Sequence, residues 1–368
     1  MSKAIPFFNY PALFEEHEDN LTDIFRNVSS SGAFIMQSEL SDFETRLAEY
    51  CNVTDVVGVG NATDALQMLM MAGGIGLGDE VIFCSHTMVA TASAIHFTGA
   101  TPIPVEVSDD HLIDMESIEK AINKNTKAIC PTQLNGRVAD MDRIEYLAKK
   151  YNLQIYEDSA QALGAKFKNK HAGSFGVGGC ISFYPAKILG CFGDGGAIIC
   201  NDRSIADKLR LMRDHGRDED GDIPIWGFNS RLDNLQAAFL NYFFKDYHQI
   251  ISRRRELAEI YNSILTDIRE LVLPEPPSKN TDHFDVFQNY EIQAERRDEL
   301  KRFLQDKGIG TLIQWGGVPV HKFRKLGFDQ ELPKTEELFE KLLMLPLNLS
   351  LKDSDIEYIC SQIKDFYS

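Results

Sequence analysis

Between Gly178 and Ile199 the chain carries only two charged side chains, Lys187 and Asp194, in a run of glycine, apolar and small residues. Lysine is almost never fully buried without a reason. Desolvation lowers the pKa of such an amine, and a neutral amine can attack an aldehyde to form a Schiff base. The same pattern also suits a lysine whose stem lies on apolar surface with its amine in water. Asp158 narrows the choice. It follows the strand-like Leu153-Gln154-Ile155-Tyr156, where a carboxylate can pair with a pyridinium nitrogen and make the ring an electron sink. Gln161, three residues on, could hydrogen-bond a ring hydroxyl, whereas the plain alternative for Asp158 is a helix N-cap. Gly58-Val-Gly-Asn-Ala-Thr-Asp-Ala-Leu66 runs from a strand through small residues into a helix. Amides at a helix N-terminus, with the Thr63 hydroxyl, form an anion site without Lys or Arg. The stretch lacks both G-x-G-x-x-G and Gly-Lys-Ser/Thr, so it is neither a dinucleotide nor an ATP fingerprint.

These residues need a scaffold that presents them together. From about Val53 to Ile199, short apolar strands alternate with amphipathic helices: Val56–Val59, then Thr63–Met71; Glu80–Cys84, then Val89–Phe97; Thr101–Val105; Lys127–Cys130, then Met141–Lys150 and Leu153–Tyr156. This alternation predicts an α/β fold with a mostly parallel sheet and helices on both faces. Ligands of such sheets bind at the carboxyl ends of the strands. Beyond Leu235 long charged helices dominate, at Asn234–Tyr261, Arg297–Lys307, Glu336–Leu343 and Asp353–Tyr367, around two or three strands. The expected organisation is a large domain over residues 1–245 and a smaller α+β domain over 246–368. The N-terminal segment is available to pack on the small domain.

The 368 residues exceed one ordinary core. A net charge of −17 excludes nucleic acid as an expected partner, because phosphate contacts need clustered bases. No apolar run is long enough to span a bilayer, and Met1–Phe8 has no signal-peptide core. The chain is therefore expected to be cytoplasmic and off the membrane. Seven scattered cysteines without a C-x-x-C pair read as small buried hydrophobes in a reducing compartment. Neither Cys nor His has metal-ligand spacing, so no metal site is expected.

A phosphate loop, an acidic residue after a strand and then an isolated lysine stand in the order that a fold-type I pyridoxal-phosphate enzyme requires. Here the sequence closely resembles the DegT/DnrJ/EryC1/StrS family of sugar aminotransferases, which have the aspartate aminotransferase fold. Matching stretches span nearly the whole chain. They include Asn61–Leu66, Gly74–Val81, Glu157–Ala162, Ser182–Lys187, Gly193–Gly196, Asn229–Ala237, Lys307–Gly310 and Leu345–Leu347.

The resemblance implies pyridoxal 5'-phosphate as cofactor, bound covalently by Lys187, which would also move the proton between cofactor and substrate carbons. Asp158 would face the pyridine nitrogen and Gln161 the ring oxygen. Ala62, Thr63 and Ser182 would hold the phosphate, with Asn229 reaching it from the other subunit of a homodimer. Three departures stand out. Met88 follows Thr87 where relatives carry an aromatic ring that stacks on the cofactor, and a thioether can pack there instead. Gln133-Leu134-Asn135-Gly136 replaces a common His-Leu-Tyr-Gly. Gln314-Trp315-Gly316-Gly317 replaces a frequent His-Tyr-Pro, although His321 keeps the later histidine, a substrate-contact candidate. In relatives these last segments border the sugar pocket.

The implied reaction is amino transfer from glutamate to a nucleotide-linked keto-(deoxy)sugar, for amino-sugar synthesis in a surface polysaccharide such as lipopolysaccharide O-antigen, or in a secondary metabolite. A cyclitol ketone is the alternative substrate. A sugar dehydratase of the same family carries histidine in place of the lysine, and Lys187 argues against it. A nicotinamide-dependent oxidoreductase fits the alternation but not the missing glycine fingerprint, and a non-catalytic regulatory relative would bind cofactor without turnover.

Overall fold

The computed structural model describes residues 4–279 and 282–368. Met1, Ser2 and Lys3, which open the stretch read as lacking a signal-peptide core, lie outside the described residues. Two helices lead in, α1 (Tyr10–Ser31) and α2 (Ser38–Cys51). Strands and helices then alternate: β1 (Asp55–Val59), α3 (Ala62–Ala72), β2 (Glu80–Cys84), α4 (Val89–Phe97), β3 (Thr101–Val105), α5 (Met115–Ala121), β4 (Thr126–Cys130), α6 (Met141–Tyr151) and β5 (Gln154–Asp158). A short hairpin, β6 (Lys166–Phe167) and β7 (Lys170–His171), precedes β8 (Gly178–Ser182), β9 (Gly196–Cys200), α7 (Arg203–Arg213) and α8 (Asn234–Phe244).

Seven strands form one sheet in the order β1-β9-β8-β5-β4-β2-β3, and only β9 runs against its neighbours. The strands are short and apolar on both faces because both faces are covered. Along β2 the side chains alternate between two cores: Ile82 and Cys84 in one, Val81 and Phe83 in the other. Local signals set the turns into the strands. Asn52 (φ 53°) ends α2 and Asn152 (φ 55°) ends α6, each in the left-handed conformation that asparagine tolerates. Among the described residues no helix is long and apolar enough to cross a membrane.

The remainder builds a second layer: α9 (Tyr247–Leu265), β10 (Leu271–Val272), β11 (His283–Phe284), β12 (Tyr290–Ala294), α10 (Arg297–Asp306), α11 (Pro333–Lys341), β13 (Leu342–Leu345) and α12 (Asp353–Tyr367). Strands β10, β12 and β13 form an antiparallel sheet, and β11 extends the β6–β7 hairpin. A third core unites α9, α10, α12 and this small sheet, and Ile5 of the N-terminal segment joins it. Tyr247 and Ile251 of α9, with Val286, Leu338, Phe339 and Leu342, pack instead into the first core.

Two expected elements differ. The single helix over 234–261 is two helices, because the chain breaks at Lys245 and Asp246. The break lets α8 stay on the first core while α9 carries Leu257, Tyr261 and Leu265 into the third. The helix expected over 336–343 starts at Pro333 and stops at Lys341, since Leu342-Leu343-Met344-Leu345 pairs with β12 as a buried strand.

One contact between the layers is tight. Gly136 (φ 85°) turns the chain after β4, and a Cβ there would meet Val286 Cγ2 at 2.7 Å and the Gln288 nitrogen at 2.8 Å. Gly136→Ala adds left-handed strain to overpacking and should cost about 2–4 kcal/mol. The check is the urea unfolding midpoint; an unchanged midpoint would show that the 286–288 segment yields freely.

Candidate active site at the strand ends

The carboxyl ends of β2, β4, β5 and β8 converge, and each releases a functional segment: Ser85–Met88, Pro131–Gly136, Asp158–Gln161 and Ser182–Lys187. Asp158 is the last residue of β5 and is buried. Its Oδ2 accepts the Thr91 hydroxyl at 2.6 Å, and its Oδ1 accepts the Ala160 N–H at 3.2 Å and the Cys180 thiol at 3.6 Å. The threonine is itself supported. Thr132 Oγ1 donates to Thr87 Oγ1 at 3.0 Å, and Thr87 lies 2.7 Å from Thr91 Oγ1. With Thr91 donating to the carboxylate, the three hydroxyls point one way, so each polarises the next and the carboxylate is held in one orientation.

Lys187 lies in the irregular segment after β8, half-buried. Its N–H donates to Tyr184 O at 2.8 Å, closing a turn. Burial lowers its pKa from 10.5 to about 8, against the pull of Asp158, whose charge favours the ammonium form. On one side Lys187 borders an apolar cavity of about 240 Å³, lined among others by Phe7, Tyr10, Phe192, Phe243 and Leu347.

The N-terminus of α3 lies against the same sheet edge. Asn61 caps it, accepting the Asp64 N–H at 2.8 Å, so the N–H groups of the first turn, at Ala62 and Thr63, point out of the helix. Ser182 pairs with Gly196 across β8 and β9. A Cβ on Gly196 would come within 2.5 Å of the Asn61 carbonyl carbon and 2.7 Å of the Ala62 nitrogen. Only glycine lets the helix start approach β9 this closely at Gly196. Met88, at the N-cap of α4, is 53% exposed beside Thr87. Asn229 is exposed, next to Ser230, whose hydroxyl donates to Asp64 at 2.7 Å and accepts the Gly60 N–H.

Gln161 accepts the Asn135 N–H at 2.9 Å through Oε1. That leaves its NH2 as a donor. Asn135 connects outward: its Oδ1 accepts from Asn289 at 2.8 Å and Gln314 at 2.7 Å, and its Nδ2 donates to Glu291 at 3.0 Å. Glu291, on β12, also accepts from Gln314 and lies 3.0 Å from His111 Nδ1. Burial alone would raise its carboxyl pKa, but His86 and His111 hold it well below the usual range.

Two residues of the stretches compared with the family lie away from open surface. His321, taken as a substrate contact, has no exposed surface. Ser85 Oγ accepts the His321 backbone N–H and lies 2.7 Å from Nδ1, while Nε2 lies 3.3 Å from Glu336. Both ring nitrogens are engaged, so the ring ties the 320s segment to the end of β2 instead of facing a pocket. Gln133 is likewise fully buried, bridging Glu157, the Ala139 N–H and Met141. Burial pushes the Glu157 carboxyl up to about 7, against the hydrogen bonds of Phe175 and Gln133. Sequence reasoning missed Thr91 and Gln288, ordinary polar residues with no local pattern to mark them.

The model of the DegT/DnrJ/EryC1/StrS aminotransferase family matches residues 15–364. The chain belongs to this family. It is 35% identical to the pleiotropic regulatory protein of Geobacillus stearothermophilus over 99% of this chain and 98% of that one. It is 38% identical to the dTDP-3-amino-3,4,6-trideoxy-alpha-D-glucose transaminase of Streptomyces venezuelae, over 95% and 92%. With the UDP-N-acetyl-3-dehydro-alpha-D-glucosamine 3-aminotransferase of Acidithiobacillus ferrooxidans the identity is 36%, over 98% and 97%. The solved structure of S. venezuelae DesV superposes with a TM-score of 0.95 at 36% identity, over 100% of this chain and 99% of that one. The fold is thus that of aspartate aminotransferase, and the protein is an aminotransferase dependent on pyridoxal phosphate.

The donor set fits that cofactor. It offers a desolvated amine, a carboxylate in a fixed orientation, a glutamine NH2 and a glycine-lined helix N-terminus with hydroxyls for a phosphate. The direction of the Lys187 shift has a measurable consequence. An amine at about 8 is neutral above that pH and protonated below it. The rate at which cofactor-free protein captures pyridoxal phosphate, followed by absorbance, should rise with pH, reach half its maximum near 8 and level off above that. A rise continuing toward 10.5 would show that burial does not lower the Lys187 pKa.

Proposed function

We propose that this enzyme transfers the amino group of glutamate to carbon 3 of a nucleotide-linked 3-keto sugar, as a cytoplasmic homodimer with shared sites. The observation that carries the reading is the lone desolvated Lys187 beside the oriented Asp158, in a chain of this family. Two relatives from different organisms, named for dTDP-linked and UDP-linked sugars, both bear the nitrogen at carbon 3. Their nucleotides differ, so carbon 3 transfers better than the nucleotide does. Carbohydrate amination of this kind serves surface polysaccharides or secondary metabolites.

Bound at the strand ends, pyridoxal phosphate supplies an electrophilic carbon for the incoming amine and an electron sink for the electrons released at the substrate carbon. The chain's own groups do the rest. Lys187 would hold the cofactor; as a neutral amine it would take the proton from the glutamate carbon, and as the ammonium it would deliver a proton to the sugar carbon in the second half-reaction. Asp158 would pair with the ring nitrogen and Gln161 would donate to the ring oxygen. Ala62, Thr63 and Ser182 would donate to the phosphate, and Met88 would pack against the ring.

Asn229 is assigned to the partner's phosphate. It is exposed, and nearby Trp226 is 96% exposed. Phe34, Ile35 and Met36 are exposed too, on a segment that bridges to Asp233. Large apolar side chains this exposed are the kind of surface that a second copy of the chain would cover. A cytoplasmic setting is supported by the seven cysteines, all buried and unbridged.

The substrate assignment is tested with glutamate against a panel of nucleotide-linked 3-keto and 4-keto sugars and a keto-cyclitol. Turnover of 3-keto sugars, abolished by Lys187→Ala, is expected. Preference for a 4-keto sugar or cyclitol would move the reaction elsewhere, and normal turnover by Lys187→Ala would remove its basis. The shared site has its own check. Lys187→Ala and Asn229→Asp chains, each inactive, are mixed and refolded. Half the dimers are then mixed, each with one intact site, so about a quarter of wild-type activity should return. No recovery would count against Asn229.

A further inference from the structure

No ladder fixes the backbone that carries Lys187, because Tyr184–Gly190 has no regular structure. The orientation of its amine therefore depends on whatever holds the two peptide groups on either side of its Cα, since these planes define φ and ψ. Both meet the same side chain. Gln288 Nε2 donates to Ala186 O at 2.8 Å, and the Ile188 N–H donates to Gln288 Oε1 at 3.0 Å. The amide thus joins the peptide before Lys187 to the peptide after it, as a strand neighbour would.

The clamp is itself braced. Gln288 is buried in the segment between β11 and β12. Arg254 on α9, also buried, donates through Nε to Phe287 O at 2.8 Å and through Nη2 to Gln288 O at 2.7 Å. Phe287 takes a left-handed conformation (φ 53°), and Val286 N–H donates to Gly136 O at 2.9 Å. The next residue, Asn289, reaches Asn135, which orients Gln161. One segment between β11 and β12 therefore touches both sides of the site, the lysine and the ring-oxygen glutamine.

We propose that Gln288 is the positioning residue for Lys187: its amide spans the two peptide groups flanking the lysine, sets its φ and ψ, and so aims the amine. The importance of that aim rests on the function proposed above, whereas the clamp can be measured independently of it.

The test uses Gln288→Met, which keeps length but not hydrogen bonding, and Gln288→Glu, which keeps shape. In Gln288→Met, the Ile188 amide should exchange its hydrogen at least about 10-fold faster, with and without pyridoxal phosphate. Turnover by the holoenzyme should fall about 10- to 100-fold with little change in KM for glutamate. Gln288→Glu supplies a rescue that a merely structural role would not show. An ionised carboxylate can accept from Ile188 but repels Ala186 O, whereas the protonated acid can also donate to it. Its kcat relative to wild type should therefore rise as pH falls through the titration of that carboxyl. A flat ratio overturns the proposal, and does so even if the methionine variant fails to fold. Faster exchange with unchanged kcat also overturns it, because the chemistry would then not need the clamp. A wrong functional reading shows separately, as turnover by Lys187→Ala.

Discussion

An amine that is to act as a nucleophile near neutral pH must lose much of its hydration, and the surroundings of Lys187 are organised around that loss. Burial draws its pKa down to about 8 while Asp158 pulls the other way. Too little burial leaves an inert ammonium; too strong a carboxylate locks the proton on. The balance depends on where Asp158 points, and its orientation is set by Thr91, Ala160 and Cys180 from three segments. It depends equally on the lysine backbone, which the sheet does not reach and the segment between β11 and β12 holds through Gln288. Neither layer completes the site alone.

The same chain must hold an anionic phosphate while carrying a net charge of −17. Clustered lysines and arginines would be one answer, but many of the basic side chains here already pair with carboxylates, as Arg137 does with Asp285 and Glu275. The structure instead offers fixed dipoles. The start of α3, proposed above as the phosphate site, would need no mobile charge, and Gly196 lets it lie against β9 by having no Cβ to strike Asn61 and Ala62. Fixed amides also lose little entropy on ordering, unlike long cationic side chains.

Which of these features could be read from the amino acids follows a physical rule. Strands β1 to β5 and helices α3, α4 and α6 declare themselves because burial imposes a period on consecutive residues. Lys187 stands out for a related reason, as a charge among apolar neighbours, whereas Asp158, next to Glu157, is marked only by its place at the end of a strand. Polar residues in polar company carry no such contrast. Thr91 lies within a helix and Gln288 in a loop, and their partners lie 67 and 100 residues away in the chain. His321 shows the converse limit, since a histidine's type says nothing about whether its ring faces a cavity or, as here, Ser85 and Glu336. The break at Lys245 is invisible in the sequence because α8 and α9 share a helical pattern and differ only in which core they serve.

Two stretches read from the sequence as departures from the family pattern, Gln133–Gly136 and Gln314–Gly317, look independent in the chain but meet in space. Asn135 and Gln314 are hydrogen-bonded to each other and to the same buried carboxylate, Glu291. A buried carboxylate needs its lone pairs satisfied, so the loss of one donor cannot be neutral for the others. Trp315 adds its edge to the ring of His86, which faces Glu291 at 3.7 Å. These positions therefore form one unit linking β12 of the small domain to the ends of β2 and β4, and through the Asn135 N–H to Gln161. Substituting a single member toward the commoner family residue would strand partners in low dielectric, whereas exchanging both stretches together preserves the possibility of full satisfaction. The departures are then better understood as one wiring of the two layers than as separate alterations of a sugar pocket.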